Sequence, residues 1–145
     1  MKTITPDPHK LAVRVYYDDT DAGGIVYHAN YLVFAERGRT EFLRAMGFDH
    51  NAVLKTFNLL LVIRHIDIDY RAPARLDDML EIRTSVLACG RTSVTMKQDF
   101  YRADKLLTEI TITVVGITPD GKAMALPAEL RDLFVACQTK PTDAE

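Results

Sequence analysis

The sequence has little cysteine, little net charge and no long apolar run. Its two cysteines, Cys89 and Cys137, lie far apart and form no Cys-x-x-Cys pair, so neither a disulfide framework nor a zinc site is indicated. A formal net charge of -2 without a run of Lys and Arg argues against nucleic-acid binding. Residues 1–10 contain no apolar stretch of the kind found in signal peptides or membrane spans. We therefore expect a cytoplasmic protein that does not insert stably into a membrane.

The composition is that of one ordinary globular domain. Apolar residues make up 48% of the chain and charged residues 26%, which is enough apolar material for a packed core in a single domain of 145 residues. We expect a leader at residues 1–10, one domain at 11–136 and a tail at 137–145.

The first half of the chain predicts a strand, a loop and a helix. Leu11, Val13 and Val15 alternate with other residues, as in a strand with one buried face. Residues 18–24 are dense in turn formers and predict a tight, exposed loop. From residue 28 to residue 46, apolar residues recur at intervals of three and four, which predicts one long amphipathic helix.

Three residues bear on the geometry of that helix. Asn30 or a neighbour is expected to cap its start, and Gly47 suits the left-handed position that commonly ends a helix. Gly38 either allows close approach of a neighbouring element or is a tolerated weak point.

The second half of the chain predicts an antiparallel sheet. Two-residue alternation recurs in four segments: Ile66, Ile68 and Tyr70; Leu80, Ile82 and Val86; Val94, Met96 and Phe100; Ile110, Ile112 and Val114. The connections between the later segments are too short for parallel crossovers, so we expect a four-strand meander. Residues 48–58 show no clear pattern, and Pro127 is expected to open a last helix that runs to about Ala136. The expected class is α+β, with an antiparallel sheet wrapped around one long central helix.

The loop that leads into the long helix carries the strongest functional signal. Two positions argue against a calcium-binding loop that starts at Asp19. Gly23 would stand where such a loop has a ligand, and Asn30 would stand where it has a bidentate Glu. The glycine spacing does not fit a dinucleotide-binding loop either. Asp19 and Asp21 could make only turn and cap hydrogen bonds. Alternatively, the free N–H groups near Tyr27 and His28 could face a developing oxyanion beside an upstream carboxylate, as in an acyl-transfer site.

The residues from Asp19 to Tyr31, together with four later positions, resemble the signature of a known family. The later positions are Phe34, Glu36, Arg39 and Phe42. The family is the 4-hydroxybenzoyl-CoA thioesterase-like hotdog family, and the likeness is greatest to its YbgC-type acyl-CoA thioesterases, which are associated with the bacterial Tol-Pal system. The resemblance is specific over residues 16–47. It implies a hotdog fold and hydrolysis of acyl-CoA or acyl-carrier-protein thioesters, with neither a metal nor a cofactor.

The resemblance also implies roles for individual residues. Asp21 is expected to be the catalytic carboxylate, either as nucleophile or as general base. A backbone N–H at about His28 is expected to polarise the thioester carbonyl. The side chain of His28 either orients water or the acyl group or simply packs at the helix start. The residues expected to bind substrate by shaping the pocket are Gly24, Tyr27, Asn30 and Tyr31.

Two more positions have competing interpretations. Arg91 aligns with a position that contacts coenzyme A phosphates in related enzymes. The alternative is that Arg91 is a solvent-exposed arginine in a turn and binds no phosphate. His65 lies beside Asp67 and Asp69 on one strand face, either in a polar active-site wall or in a surface cluster across strands.

The resemblance implies a homodimer that completes its sites at the interface, and a homotetramer built as a dimer of dimers. Unpaired sheet edges favour such association. One alternative function is a non-catalytic acyl-thioester binding or scaffold protein for envelope or lipid-synthesis partners. Another is a hydratase for enoyl thioesters, which ranks last because Asp21 stands in a thioesterase motif.

Overall fold

The structure is a computed structural model that describes residues 7–139 as an α+β arrangement of three α-helices and five strands, with one 3-10 turn at Tyr17–Asp19. The elements in chain order are β1 His9–Arg14, α1 Asn30–Ala45, α2 His50–Phe57, β2 Leu60–Tyr70, β3 Met79–Cys89, β4 Ser93–Arg102, β5 Lys105–Ile117 and α3 Ala128–Ala136. The long helix, the sheet strands and the last helix are all found near their predicted positions.

The five strands form one antiparallel sheet in the order β1-β3-β4-β5-β2. Helix α1 packs on one face, where its buried Phe34 and Ala35 join a core with Ile82 and Phe100 of the sheet. Burial of large apolar side chains between helix and sheet is the main stabilising term of such a two-layer domain.

The prediction of a four-strand meander is wrong for β2. Strands β3, β4 and β5 do follow one another, but β2 pairs with β5 and forms the edge of the sheet opposite β1. The alternation of apolar residues in β2 indicates only which face of the strand is buried. A position beside β3, as predicted, and the observed position beside β5 both bury that face. As a result Tyr70, at the end of β2, lies against Tyr31 at the start of α1, with ring centroids 5.4 Å apart.

Helix α2 occupies the stretch for which no pattern was recognised. The Asp49 side chain caps it by accepting a hydrogen bond from the N–H of Ala52 at 2.7 Å. Asn58 ends it in the left-handed conformation, with φ of 54°. Only Val53 of this short helix is fully buried, so the apolar periodicity is too weak to be recognised from sequence.

Gly38 within α1 and Gly47 just after it have different uses. Gly47 follows the helix with φ of +98°. A side chain at Gly38 would place a Cβ 2.9 Å from Gln98 Nε2 and 3.2 Å from Thr84 Oγ1, so this glycine allows close approach of α1 to the sheet. The alternative, a tolerated weak point, is wrong.

The ends of the described chain belong to the sheet. Strand β1 begins at His9, inside the predicted leader, and the N–H of Thr139 donates to Val86 of β3 at 2.9 Å. The remainder of the predicted leader and tail, residues 1–6 and 140–145, lies outside the described residues. The division into leader, domain and tail otherwise stays a prediction.

Candidate active site

Asp19 fastens the functional loop to the start of α1. One of its carboxylate oxygens accepts the backbone N–H of Tyr16 at 2.7 Å, and the other accepts the side-chain amide of Asn30 at 2.8 Å. Its carbonyl accepts the N–H of Tyr27 at 3.0 Å. Asp19 therefore has the turn and cap role that was one of the two interpretations of this carboxylate pair.

Asp21 lies at the tip of the same loop and is exposed. Its backbone pairs with Ile25 and Gly24, and Gly24 has φ of +80°, a conformation that favours glycine. Its carboxylate accepts the N–H of Gly23 through Oδ1 at 2.8 Å. Within residues 7–139 the second oxygen, Oδ2, accepts no hydrogen bond, so the turn uses only half of the hydrogen-bonding capacity of this carboxylate.

Helix α1 begins without a side-chain cap, and this corrects two expectations. The N-cap is Ala29, and Asn30 bonds to Asp19 instead of capping the helix. The N–H of Tyr27 is not free, because it donates to Asp19. Among the hydrogen bonds of the described residues, none is donated by the N–H of His28 or of Ala29. These two unpaired donors lie immediately before α1, at the positive end of the helix dipole.

Tyr70 holds the peptide that joins His28 to α1. Its hydroxyl donates to the His28 carbonyl at 2.7 Å. Burial, and to a smaller extent the neighbouring Tyr31, raises the pKa of Tyr70, so the hydroxyl keeps its proton at neutral pH. The hydroxyl of Tyr31 in turn accepts the N–H of Ala74 at 3.2 Å. Hydrogen bonds of two tyrosines therefore connect the start of α1 to the end of β2 and to the segment that follows it.

A cavity of about 400 Å³ gathers several of these groups. Its lining residues are Asp21, Ile25, Val26, His28, Tyr31, Tyr70, Arg71, Ala72 and Pro73. It brings together the predicted Asp21, His28 and Tyr31. Sequence reasoning missed Tyr70 and Arg71 as site residues, because their contact with the loop depends on the edge position of β2.

Arg71 is held at the wall of this cavity by acidic partners. Its guanidinium bonds to Glu109 of β5 and lies 3.7 Å from Asp69. The hydrogen bond to Glu109 raises the pKa of Arg71. The positive charge at the wall is therefore neutralised within the chain.

The other predicted residues lie around or away from the cavity. Gly24 and Asn30 shape the loop behind it, and the half-exposed ring of Tyr27 packs on the His28 ring with centroids 4.5 Å apart. Arg91 is exposed in the turn between β3 and β4, where its carbonyl accepts the N–H of Leu126. The cavity does not include Arg91.

His65, Asp67 and Asp69 are exposed on one face of β2 and line no part of the cavity. Asp69 and Glu109 are register partners, and Glu109 lies 3.3 Å from Lys97 of β4. Asp69 therefore belongs to a surface cluster across strands, and the membership of His65 in such a cluster stays a prediction.

Comparison with known proteins gives consistent matches. A family model described as the thioesterase superfamily matches residues 23–109. A protein of Escherichia coli O6:H1 named acyl-CoA thioester hydrolase YbgC is 46% identical over 120 residues, which are 81% of this chain and 89% of that protein. An acyl-CoA thioesterase YbgC of Haemophilus influenzae is 40% identical over 123 residues, 84% of this chain and 90% of its own length.

A solved structure shares the architecture. The crystal structure of a probable thioesterase from Bartonella henselae superposes with a TM-score of 0.80 at 36% identity, and covers 83% of this chain and 99% of its own. The predicted α+β hotdog architecture is confirmed. No helix among residues 7–139 has the length and apolar character needed to cross a membrane.

Proposed function

The chain belongs to the thioesterase superfamily, and from this membership and its geometry we propose that it hydrolyses acyl-CoA thioesters to free acid and thiol. The observation that supports the proposal most is the cavity that joins the Asp21 carboxylate to the start of α1, where the N–H of His28 has no acceptor among the described residues.

In the proposed reaction, the thioester carbonyl oxygen lies against the N–H of His28. As the carbonyl carbon is attacked, its oxygen gains negative charge, which that N–H and the positive end of α1 stabilise. Asp21 acts in one of two ways. It takes a proton from a water whose oxygen bonds to the carbonyl carbon, or its own oxygen bonds there to give a mixed anhydride that water then cleaves. The carbon–sulfur bond breaks in either case, and the coenzyme A thiolate leaves.

The remaining predicted residues have supporting roles in this proposal. Gly24, Tyr27, Asn30 and Tyr31 shape the loop and pocket, and the His28 side chain lies where it can orient water or the acyl group. Arg91 lies outside the Asp21 cavity of its own chain. A role for Arg91 in binding coenzyme A phosphates, which would lie beyond this cavity, stays part of the proposal, with Arg91 contributed by the same chain or by another subunit of the assembly proposed below.

The first test is thiol release by the wild-type protein from acyl-CoAs of short, medium and long chain and from an aromatic acyl-CoA. An acylated carrier protein with the preferred acyl group tests the second proposed class of carrier. Release from at least one acyl-CoA supports the proposal, and no release from any of them contradicts it. Cytoplasmic location is part of the same proposal.

Replacing Tyr70 with Phe is expected to lower kcat by about two- to tenfold with little change in KM, since one hydrogen bond contributes about 0.5 to 1.5 kcal/mol. The phenyl ring keeps its packing on Tyr31, but the His28 carbonyl loses its donor. Steady-state thiol release measures the effect.

The control is Tyr17→Phe, because Tyr17 lies in the 3-10 turn before the Asp21 loop and is 83% exposed. Equal kcat in Tyr70→Phe and wild type would contradict a positioning role for Tyr70. A rise in KM alone would place Tyr70 in substrate binding instead.

We also propose that two chains associate through their β2 edges, and that two such dimers form a tetramer. Within residues 7–139, strand β2 offers an unpaired edge of 11 residues, against six for β1, and carries the exposed apolar side chains Ile63 and Tyr70. Light scattering during gel filtration is expected to give two or four times the chain mass of 16.3 kDa. A mass of one chain at micromolar concentration would contradict the assembly.

A further inference from the structure

A second cavity lies between the C-terminal half of α1, helix α2 and the beginning of β2. Its volume is about 320 Å³, and most of its wall is apolar, with Phe42, Leu61 and Val94 among the lining residues. Its polar side chains are Glu36, Arg39 and His50. Nothing in the proposed hydrolysis uses these three groups.

The Arg39 guanidinium is held in this cavity by a buried amide. Its Nη1 donates to Gln98 Oε1 at 3.0 Å. The Gln98 side chain is 0% exposed, and its Nε2 donates both to the Ala35 carbonyl at 2.8 Å and to Thr84 Oγ1 at 3.0 Å. Because both amide protons are used inside the core, the amide oxygen must face Arg39. One guanidinium N–H group is thereby fixed, and the others stay available.

Arg39 has no anionic partner in the described part of the chain. None of the salt bridges among residues 7–139 includes it. Burial lowers the pKa of Arg39, and the negative charge of Glu36, one turn earlier on α1, offsets this only in part. A positive charge in a largely apolar cavity gains most from a carboxylate that enters the cavity and bonds to it.

The two cavities lie along the same helix. Tyr31 of the Asp21 cavity packs against Tyr70 at the end of β2, whereas Arg39 shares the second cavity with Leu61 and Ile63 near the beginning of β2. Helix α1 and strand β2 therefore run antiparallel. Arg39 lies eight positions after Tyr31, which corresponds to about 12 Å of helix, a distance that an extended acyl chain of medium length can cover.

We propose that the enzyme prefers acyl thioesters whose far end carries a carboxylate, and that Arg39 is the specificity-determining residue which binds this carboxylate. The inference rests on the proposed thioesterase function and specifies its substrate class. In this proposal the thioester lies at Asp21 and His28, the methylene chain runs along α1 from the first cavity towards the second, and the distal carboxylate reaches the guanidinium. His50 also lines this cavity, with its Nε2 3.3 Å from Thr40 Oγ1, and adds a second polar group at this end.

The test compares three coenzyme A thioesters at each of three chain lengths. Hexanoyl-, octanoyl- and decanoyl-CoA are compared with adipyl-, suberyl- and sebacyl-CoA, which have the same chain lengths and carry a distal carboxylate. The third set is the same three dicarboxylic thioesters with the distal carboxylate converted to a methyl ester. The methyl ester keeps length and shape but removes the charge, so it tests the proposal with no change to the protein. We expect the acid to exceed its methyl ester at least tenfold in kcat/KM at one or more lengths.

The protein variants test the same preference from the other side. Arg39→Gln is expected to abolish the tenfold preference, while Arg39→Lys keeps part of it because the charge remains. The matched control is Arg37→Gln, since Arg37 is an exposed arginine of the same helix that lies over the Phe34 ring and outside the cavity. Arg37→Gln is expected to keep the wild-type preference.

Each outcome has a distinct meaning. Hydrolysis of the plain and the charged thioesters at equal kcat/KM would overturn the carboxylate preference and leave the thioesterase function standing. Hydrolysis of none of them would also overturn the carboxylate preference, and the wider acyl-CoA panel described above then decides the thioesterase function. A wild-type preference that survives in a folded Arg39→Gln variant would overturn the role of Arg39. If that variant does not fold, the comparison of acid with methyl ester in the wild type still decides the preference.

Discussion

Asp21→Asn is expected to lower thiol release from the preferred acyl-CoA by two to four orders of magnitude, the usual contribution of a positioned general base. An amide is a poorer nucleophile and a far weaker base than a carboxylate, so both proposed mechanisms predict the loss. The fold should be retained, because the amide oxygen can still accept the N–H of Gly23.

The matched control for Asp21 lies three residues upstream. Asp18 is exposed on the same loop and outside the cavity, so Asp18→Asn is expected to keep wild-type kcat/KM. Circular dichroism and melting temperature establish that both variants are folded. Equal thiol release from wild type and Asp21→Asn would overturn the catalytic role of Asp21. Undiminished acyl-CoA binding without any turnover in the wild type would instead favour the binding or scaffold function.

Gln98→Met is expected to lower the free energy of unfolding by about 3 kcal/mol, because it leaves the buried Thr84 hydroxyl and the Arg39 guanidinium without their partner. Methionine has nearly the same length and volume, so little of the effect comes from a cavity. For a domain of this size the loss corresponds to a fall of about 10 °C in melting temperature. Urea unfolding and calorimetry measure the two quantities.

Lys97→Met is the control for the core amide. Lys97 is the preceding residue on β4, on the opposite face of the sheet, and bonds to Asp99 at 2.8 Å and to Glu109 at 3.3 Å. These side chains are partly exposed, so the loss of their ion pairs should stay within about 1 kcal/mol. If both methionine variants lose equal stability, the buried network around Gln98 contributes no more than a surface pair.

The sequence specifies the local parts of this molecule well. The strand before the loop, the turn around Gly24, and helix α1 with its end at Gly47 follow from short-range signals, namely apolar spacing and residues that tolerate left-handed angles. The placement of Asp21 and His28 in one cavity follows from the same segment, since only a few residues separate them.

The parts that depend on distant contacts could not be predicted. The edge position of β2 is a choice between two pairings that bury the same face, and it alone brings Tyr70 and Arg71 to the loop. The link between Arg39 and Gln98 joins residues 59 positions apart, and no periodicity in either segment indicates it. Helix α2 was missed for a third reason, because a helix of eight residues depends on its cap and on tertiary packing.

The uncapped start of α1 has a consequence for protein engineering. Serine or aspartate at position 29 would be the standard choice for stabilising this helix by about 1 kcal/mol, since Ala29 makes no cap hydrogen bond. A capping side chain accepts from the N–H of Tyr31 or Leu32 and needs extended backbone angles, whereas Ala29 has helical ones, with φ of -72° and ψ of -21°. Capping would rotate the chain at Ala29 and shift the N–H of His28, which the proposed reaction needs for the carbonyl oxygen, relative to α1. Thermostability gained at this position would therefore be expected to come at the expense of turnover, and stabilising changes are better placed in α2 or α3, away from the loop.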